Sequence, residues 1–121
     1  MDGNKICEDI TNLHGNIESV EIVEKGVPIA VYAKGSTPPN HERISIQAES
    51  FADNIRNNKQ FYGRHHYIVA HNNNLDLFFF PIVVNARKMI LLLSIASPYD
   101  HNEMVQKIFA FLNDSKLMRP E

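Results

Sequence analysis

The chain has 121 residues, of which 44% are hydrophobic and 21% are charged, and its net charge at pH 7 is −2. This length suits one folded domain, and we expect a single domain over residues 1–121. Nucleic-acid-binding domains are usually strongly basic, so the charge argues against nucleic acid as a partner. A single cysteine, Cys7, excludes an internal disulfide, and the N-terminus lacks a secretory signal. The longest apolar run, Leu77–Val84, is far shorter than the about 18 residues of a membrane-spanning helix, so we expect a cytoplasmic protein without a membrane partner.

The N-terminal part of the chain predicts a helix followed by a hairpin. Apolar residues recur with helical spacing over residues 4–14, which predicts an amphipathic helix. The alternating segment Ile17–Glu24 predicts a half-buried strand, and Lys25-Gly26 predicts a tight turn into a second strand, Val27–Ala33. Because Pro28 has no N–H to donate, we expect this second strand at an edge of the sheet.

A second helix is predicted in the middle of the chain. It follows a loop, residues 34–41, that is rich in turn-forming residues. Apolar residues then recur with helical spacing from Glu42 to Asn58. The apolar surface of this helix is wider than one stripe, because Ile46 and Ile55 lie about half a turn apart around its axis. We therefore expect this helix to contact a second subunit.

Three consecutive strands are predicted within Tyr67–Ala96. They are Tyr67–His71, Leu75–Val84 and Met89–Ala96, and the short polar breaks between them favour an antiparallel meander. The third strand is apolar on both faces, with only Ser94 polar. A strand of this kind must be covered on both faces, so we expect it at the centre of the sheet.

The last helix has two candidate starts. One is Ser97-Pro98, because serine can cap a helix and proline is tolerated in its first turn. The other is Asp100, which forms a capping-box-like pair with Glu103. The residues from Asp114 onward are expected to fray. The predicted fold class is α+β, in the order α-β-β-α-β-β-β-α, with five antiparallel strands, both terminal helices on one face and the middle helix elsewhere.

This order of elements resembles the roadblock/dynein-light-chain superfamily. The resemblance is carried by Val20–Ala30 (VEIVEKGVPIA), which has an apolar strand, an acidic and glycine-containing turn, and a Pro-Ile-Ala start to the next strand. The segment Phe80–Ser94, followed by Asp100-His101, also resembles small proteins of ammonia-oxidising archaea. The resemblance implies α/β/α layers and a dimer built through the middle helix and the adjacent edge strand. It also implies a non-catalytic platform or regulator, often of small Ras-like GTPases.

From this resemblance and the wide apolar helix we predict a set of interface residues. They are Ile44, Ile46, Phe51, Ile55, Tyr67 and Val69. Residues 54–75 contain no acid, and their cations alternate with aromatic residues. Such a mixture can hold an anionic protein or a nucleotide-bearing partner, or, as the least favoured alternative, a nucleic acid. The ordinary explanation is a solvated helix C-terminus, where cations are common. The residues of this predicted anionic-partner patch are Arg56, Lys59 and Arg64.

The six histidines do not predict a metal site. His65 and His71 would share one face of a strand but lie about 20 Å apart, too far for one ion, and His66 points to the other face. We therefore expect surface or edge-strand histidines, which could make association pH-dependent because histidine titrates near neutrality. No cofactor is predicted.

The sequence also argues against catalysis. Cys7 lies among apolar residues of the first helix, where it fills space as a small apolar side chain. No serine lies in a glycine elbow. The acids that could have formed a catalytic pair stand alone in sequence: Asp53, Asp76 and Asp100. We do not expect an enzyme.

Two functions follow from these expectations. The first is a cytoplasmic, homodimeric interaction module that scaffolds or regulates a protein partner such as a small GTPase. The alternative is a small-molecule sensor of PAS-like or profilin-like type. It predicts a cavity beside Phe78 or Phe80 in the unusually aromatic fourth strand.

Overall fold

The computed structural model describes residues 2–35, 42–62 and 66–119. The predicted order of helices and strands is confirmed, with a one-turn helix added before the third strand. The elements are α1 (Gly3–Thr11), β1 (Ile17–Glu24), β2 (Val27–Ala33), α2 (Glu42–Asn57), α3 (Lys59–Tyr62), β3 (Ile68–Ala70), β4 (Leu75–Val84), β5 (Arg87–Ala96) and α4 (His101–Asp114).

The five strands form one antiparallel sheet in the order β2-β1-β5-β4-β3. The prediction that the last strand is central is therefore confirmed. β5 pairs with β4 along its whole length and with β1 from Ile90 to Ile95. Its residues from Met89 to Ile95 are buried, as expected for a strand with cover on both faces.

Both long hairpins close through two-residue turns with left-handed backbone. The φ angles are 51° and 80° at Lys25 and Gly26, and 51° and 65° at Asn85 and Ala86. A two-residue turn of this kind matches the twist of the flanking strands, so the ladder continues up to the turn. For this reason β5 begins at Arg87, two residues before the predicted start.

One face of the sheet carries the larger part of the core, together with α1 and α4. Even-numbered residues of β4, odd-numbered residues of β5 and, from Val20 onward, even-numbered residues of β1 point to this side. Gly3 allows α1 to approach β2, since a Cβ at this glycine would lie 3.0 Å from the Cβ of Ala30. Side chains from the sheet and from both terminal helices form this cluster, among them Ile6, Ile10, Phe78, Leu93, Met104 and Ile108. The predicted placement of both terminal helices on one face is confirmed.

The opposite face of the sheet holds a smaller buried cluster. The cluster consists of Val23, Phe79, Ile90 and Leu92. α2 contacts β2, and the Cγ1 atom of Ile46 lies 2.9 Å from the position that a Cβ of Gly26 would occupy. Glycine at this position of the β1–β2 turn therefore permits both the left-handed backbone of the turn and the close approach of α2.

α4 shows which of the two predicted starts is used. The helix begins at His101, and the Asp100 side chain accepts a hydrogen bond from the Glu103 N–H at 3.0 Å. The Ser97-Pro98 start is wrong, because these residues lie in the loop before the helix. The expectation that the chain frays after Asp114 is also wrong for residues 115–119, since Leu117 is buried in the main core.

Candidate interaction surface

The β2 edge of the sheet exposes apolar side chains but is protected against further strand pairing. Val27, Ile29 and Val31 are all exposed. Pro28 lacks a donor, and the β1–β2 register shifts at this point. The Val31 N–H donates a long hydrogen bond of 3.4 Å to Oδ1 of Asn4. Proline, irregular pairing and a covering side chain are devices by which proteins block the addition of a strand.

The opposite edge is made by β3, which is much shorter than its neighbour. β3 pairs only with Leu77–Phe79 of β4, and the tail after α4 pairs with the far half of that strand. The Val83 N–H donates to the Leu117 carbonyl, so odd-numbered residues of β4 turn their backbone groups outward. Because backbone groups alternate along a strand, Ile68 and Ala70 bond inward to β4 and Val69 presents its N–H and C=O outward.

Tyr67, immediately before β3, packs its ring into the domain's own core. Ring centroids lie 5.4 Å from Phe80, 6.2 Å from Phe78 and 5.8 Å from Phe109. The Tyr67 hydroxyl lies 3.0 Å from Nε2 of His101, the first residue of α4. Tyr67 thus attaches the beginning of the edge strand to the last helix, while the backbone beside it remains at the edge of the sheet.

A buried carboxylate, Asp76, attaches the other end of β3. It is 4% exposed and accepts hydrogen bonds from the Asn72 N–H at 3.1 Å and from the Tyr99 hydroxyl, and its Oδ1 lies 2.6 Å from Nδ1 of His71. Burial raises the pKa of Asp76, but the hydrogen bonds from Tyr99, Asn72 and His71 lower it by more, so the net pKa lies below its usual value. Burial and the neighbouring carboxylate raise the pKa of Tyr99.

Asp76 was missed by sequence reasoning, which treats it as an isolated acid. A signal was available, since the residue stands between two leucines at the start of a strand, two positions after a run of three asparagines. An acid at the beginning of an apolar strand commonly accepts backbone hydrogen bonds from the adjoining turn. In this chain it holds the turn between β3 and β4.

The segment leading to β3 exposes several apolar side chains. Ile46 is 53% exposed and Phe51 is 54% exposed on α2, and Phe61 of α3 is 77% exposed. The side chains of Ile44 and Ile55, which were also predicted at an interface, lie outside the described part of the chain. The exposure of Ile46 and Phe51 is what an interface requires, and the interface itself stays a prediction.

The predicted anionic-partner patch lies only partly within the described residues. Arg56 forms an ion pair with Asp53, one turn earlier on α2. The Lys59 side chain and Arg64 lie outside the described residues. The role of this patch in holding an anionic partner therefore stays a prediction.

His71, His101 and Cys7 all contact other residues of the domain. Among residues 2–35, 42–62 and 66–119, no three His, Cys, Asp or Glu side chains come together as a metal site would require. His71 contacts Asp76 and His101 contacts Tyr67, as described above. His65 lies outside the described residues. Cys7 is fully buried, and burial raises its thiol pKa to about 12. A thiol that stays protonated is a poor nucleophile, which agrees with its predicted role as an apolar filler.

Comparison with known proteins gives a match at the level of structure. No family model matches the chain, and no curated protein matches its sequence. The structure of a Roadblock/LC7 domain from Streptomyces avermitilis superposes with a TM-score of 0.73 at 12% identity, covering 96% of this chain and 96% of that one. A structure of MglB with a tetrameric arrangement gives 0.73 at 13% identity, covering 91% and 82%. The gliding protein MglB from Thermus thermophilus gives 0.72 at 12% identity, covering 88% and 80%.

These similarities show the fold. The superpositions cover between 88% and 96% of this chain. No described helix is long and apolar enough to cross a membrane.

Proposed function

We propose that this chain, whose fold is that of the roadblock domains, is a non-catalytic module that forms a homodimer and scaffolds or regulates a small Ras-like GTPase. The observation that carries the dimer is the contrast between the two edges of the sheet. β2 is protected by Pro28, a register shift and Asn4, whereas the backbone of Val69 in β3 faces outward. An unprotected strand edge is a template for pairing with another chain.

A symmetric dimer through β3 has a defined register in this proposal. If the outward N–H and C=O of Val69 bond to their own counterparts, the two-fold axis passes beside Val69. Tyr67 of one subunit then lies opposite His71 of the other. The exposed side chains of Ile46 and Phe51 supply apolar surface, and fully burying one such side chain contributes about 1.5–3 kcal/mol.

The GTPase part of the proposal is supported by the roadblock resemblance of the sequence and by the fold.

The buried core also disfavours the small-molecule sensor. Phe78 and Phe80, beside which that function predicts a cavity, are fully buried. Their rings contact those of Tyr67, Tyr99 and Phe109. The chain's own aromatic side chains therefore fill the space beside this part of the sheet.

The dimer is tested by comparing two proline substitutions at opposite edges of the sheet. We expect Val69→Pro to convert the dimer into a monomer, as measured by light scattering after gel filtration. The Val69 N–H points away from β4, so the substitution removes no hydrogen bond within the subunit. Val31→Pro in β2 is the control at the protected edge. It removes the Val31 N–H that donates to Oδ1 of Asn4 within the subunit, and we expect it to leave the dimer intact. A wild-type chain that is monomeric at micromolar concentration would contradict the proposal.

The GTPase partner is tested separately. Small Ras-like GTPases from the same genome, loaded with GDP or with a non-hydrolysable GTP analogue, are titrated calorimetrically against the wild-type chain. We expect binding that depends on the nucleotide, with a change in the rate of hydrolysis or exchange. Equal lack of binding in both nucleotide states would remove the GTPase from the proposal and leave the dimer standing.

A further inference from the structure

The residues after α4 turn back onto the sheet. α4 ends at Asp114, and Lys116, two residues later, adopts the left-handed conformation at φ 58°. The Leu117 N–H then donates to the Leu112 carbonyl at 2.8 Å. A left-handed residue followed by a hydrogen bond of this span reverses the chain direction at a helix C-terminus. The segment Leu117–Arg119 is therefore directed along β4.

This segment occupies the outer edge of β4 where β3 does not reach. The β3 ladder covers β4 only as far as Phe79. Further along, the Val83 N–H donates to the Leu117 carbonyl at 2.9 Å, and Met118 forms an antiparallel bridge with Ile82. The tail thus satisfies a backbone donor that would otherwise lie open at the edge of the sheet.

Two side chains of the tail add specificity to this pairing. Leu117 is 2% exposed and belongs to the main core cluster. Arg119 donates from Nε to the Ile82 carbonyl at 2.9 Å and from Nη2 to the Met89 carbonyl at 2.6 Å. The guanidinium thereby links β4 and β5, and hydrogen bonds from a charged donor are stronger than neutral ones.

We propose that the outer edge of β4, beside Ile82 and Val83, is a binding site for an extended peptide with an aliphatic residue followed two positions later by arginine. The chain's own Leu117 and Arg119 fill this site in cis. The site recognises a backbone carbonyl, a buried aliphatic side chain and a guanidinium, all within three residues. This inference does not depend on the dimer or on a GTPase partner.

A peptide in trans competes with the tethered tail. A short tether holds the tail at an effective concentration in the millimolar range, so a free peptide binds to a measurable extent only when the tail is absent. A partner segment with the same pattern gains access to this site when its local concentration is comparable to the effective concentration of the tail. Such displacement would exchange one strand for another at the same edge.

The experiment uses a chain that ends at Lys116 and a synthetic peptide of residues 115–121, SKLMRPE. We expect exchange of the Val83 amide hydrogen, followed by NMR, to be about tenfold faster in the shortened chain, as loss of one hydrogen bond and its cover implies. The peptide at millimolar concentration should restore protection and shift the resonances of Ile82 and Met89. The full-length chain should not bind the same peptide.

Two altered peptides serve as matched controls. The peptide with Leu117→Asp and the peptide with Arg119→Ala should both bind at least several-fold more weakly, because each lacks one recognised feature. Unchanged protection of Val83 in the shortened chain, or equal binding of all three peptides, would overturn the proposal.

If the shortened chain does not fold, the full-length variant Arg119→Ala decides the matter. We expect it to accelerate Val83 exchange several-fold, whereas Lys107→Ala, which removes an exposed cation on α4, should not. Equal exchange in these two variants would also overturn the proposal.

Discussion

At the scale of single residues, the domain tolerates unusual backbone or buried charge where a neighbour compensates for it. The left-handed backbone of Gly26 allows the close approach of Ile46. Ala86 adopts the same left-handed region with a Cβ, which costs about 1 kcal/mol in an L-residue. Asp76 is buried, and three hydrogen-bond partners hold its charge. These sites are therefore the ones where a single substitution has a predictable sign.

Ala86→Gly should stabilise the protein. Glycine adopts a φ of 65° without steric cost, so we expect the free energy of unfolding in urea to rise by about 0.5–1 kcal/mol. Gly26→Ala is the opposite substitution in the equivalent turn and should destabilise, because its Cβ would lie 2.9 Å from Ile46 Cγ1. A lower stability of Ala86→Gly would show that the turn does not carry this strain.

At the scale of elements, β3 is short and depends on attachments at both ends. Three residues pair with β4, which gives too few backbone hydrogen bonds to fix an edge strand alone. Before the strand, Tyr67 reaches His101 of α4, and after it the turn binds Asp76. The shape of this edge therefore depends on side chains from β4, α4 and the loop that contains Tyr99.

Asp76 should make the stability of this hairpin depend on pH in the acid range. The pKa of Asp76 is lowered in the folded state, so its contribution is fully present above the unfolded pKa of about 3.9 and is lost as pH falls through the folded pKa. We expect Asp76→Asn to cost about 1–2 kcal/mol at neutral pH and progressively less below about pH 4, as measured by urea unfolding at several pH values. A difference from wild type that does not change with pH would contradict this assignment.

At the scale of the whole molecule, the sheet has one edge that the described residues protect and one that they leave open. The tail closes the far half of β4, and Asn4 with Pro28 covers β2. The outward backbone groups of β3 are left uncovered by the described residues, as are the exposed apolar side chains of α2 and α3. The molecule is thus asymmetric in where it can add a second chain.

Dimerisation should make thermal stability depend on protein concentration. If the second subunit binds the folded state alone, the melting temperature rises with concentration by mass action. We expect a rise of several degrees over about a hundredfold range of concentration for wild type, and a flat response for Val69→Pro. A flat response for both chains would indicate a monomer.

The sequence by itself determined the order of elements and the central position of β5, and it offered the Asp100 cap as one of two starts for α4. Each rests on local chemistry or on periodicity: apolar residues on both faces from Met89 to Ile95, and a carboxylate three residues before the N–H that it binds. Only the tertiary structure decided the role of Asp76, the position of Tyr67 and the pairing of Leu117–Arg119 with β4. These contacts join residues distant in sequence, and no periodicity encodes which strand edge is left for a tail or a partner to fill.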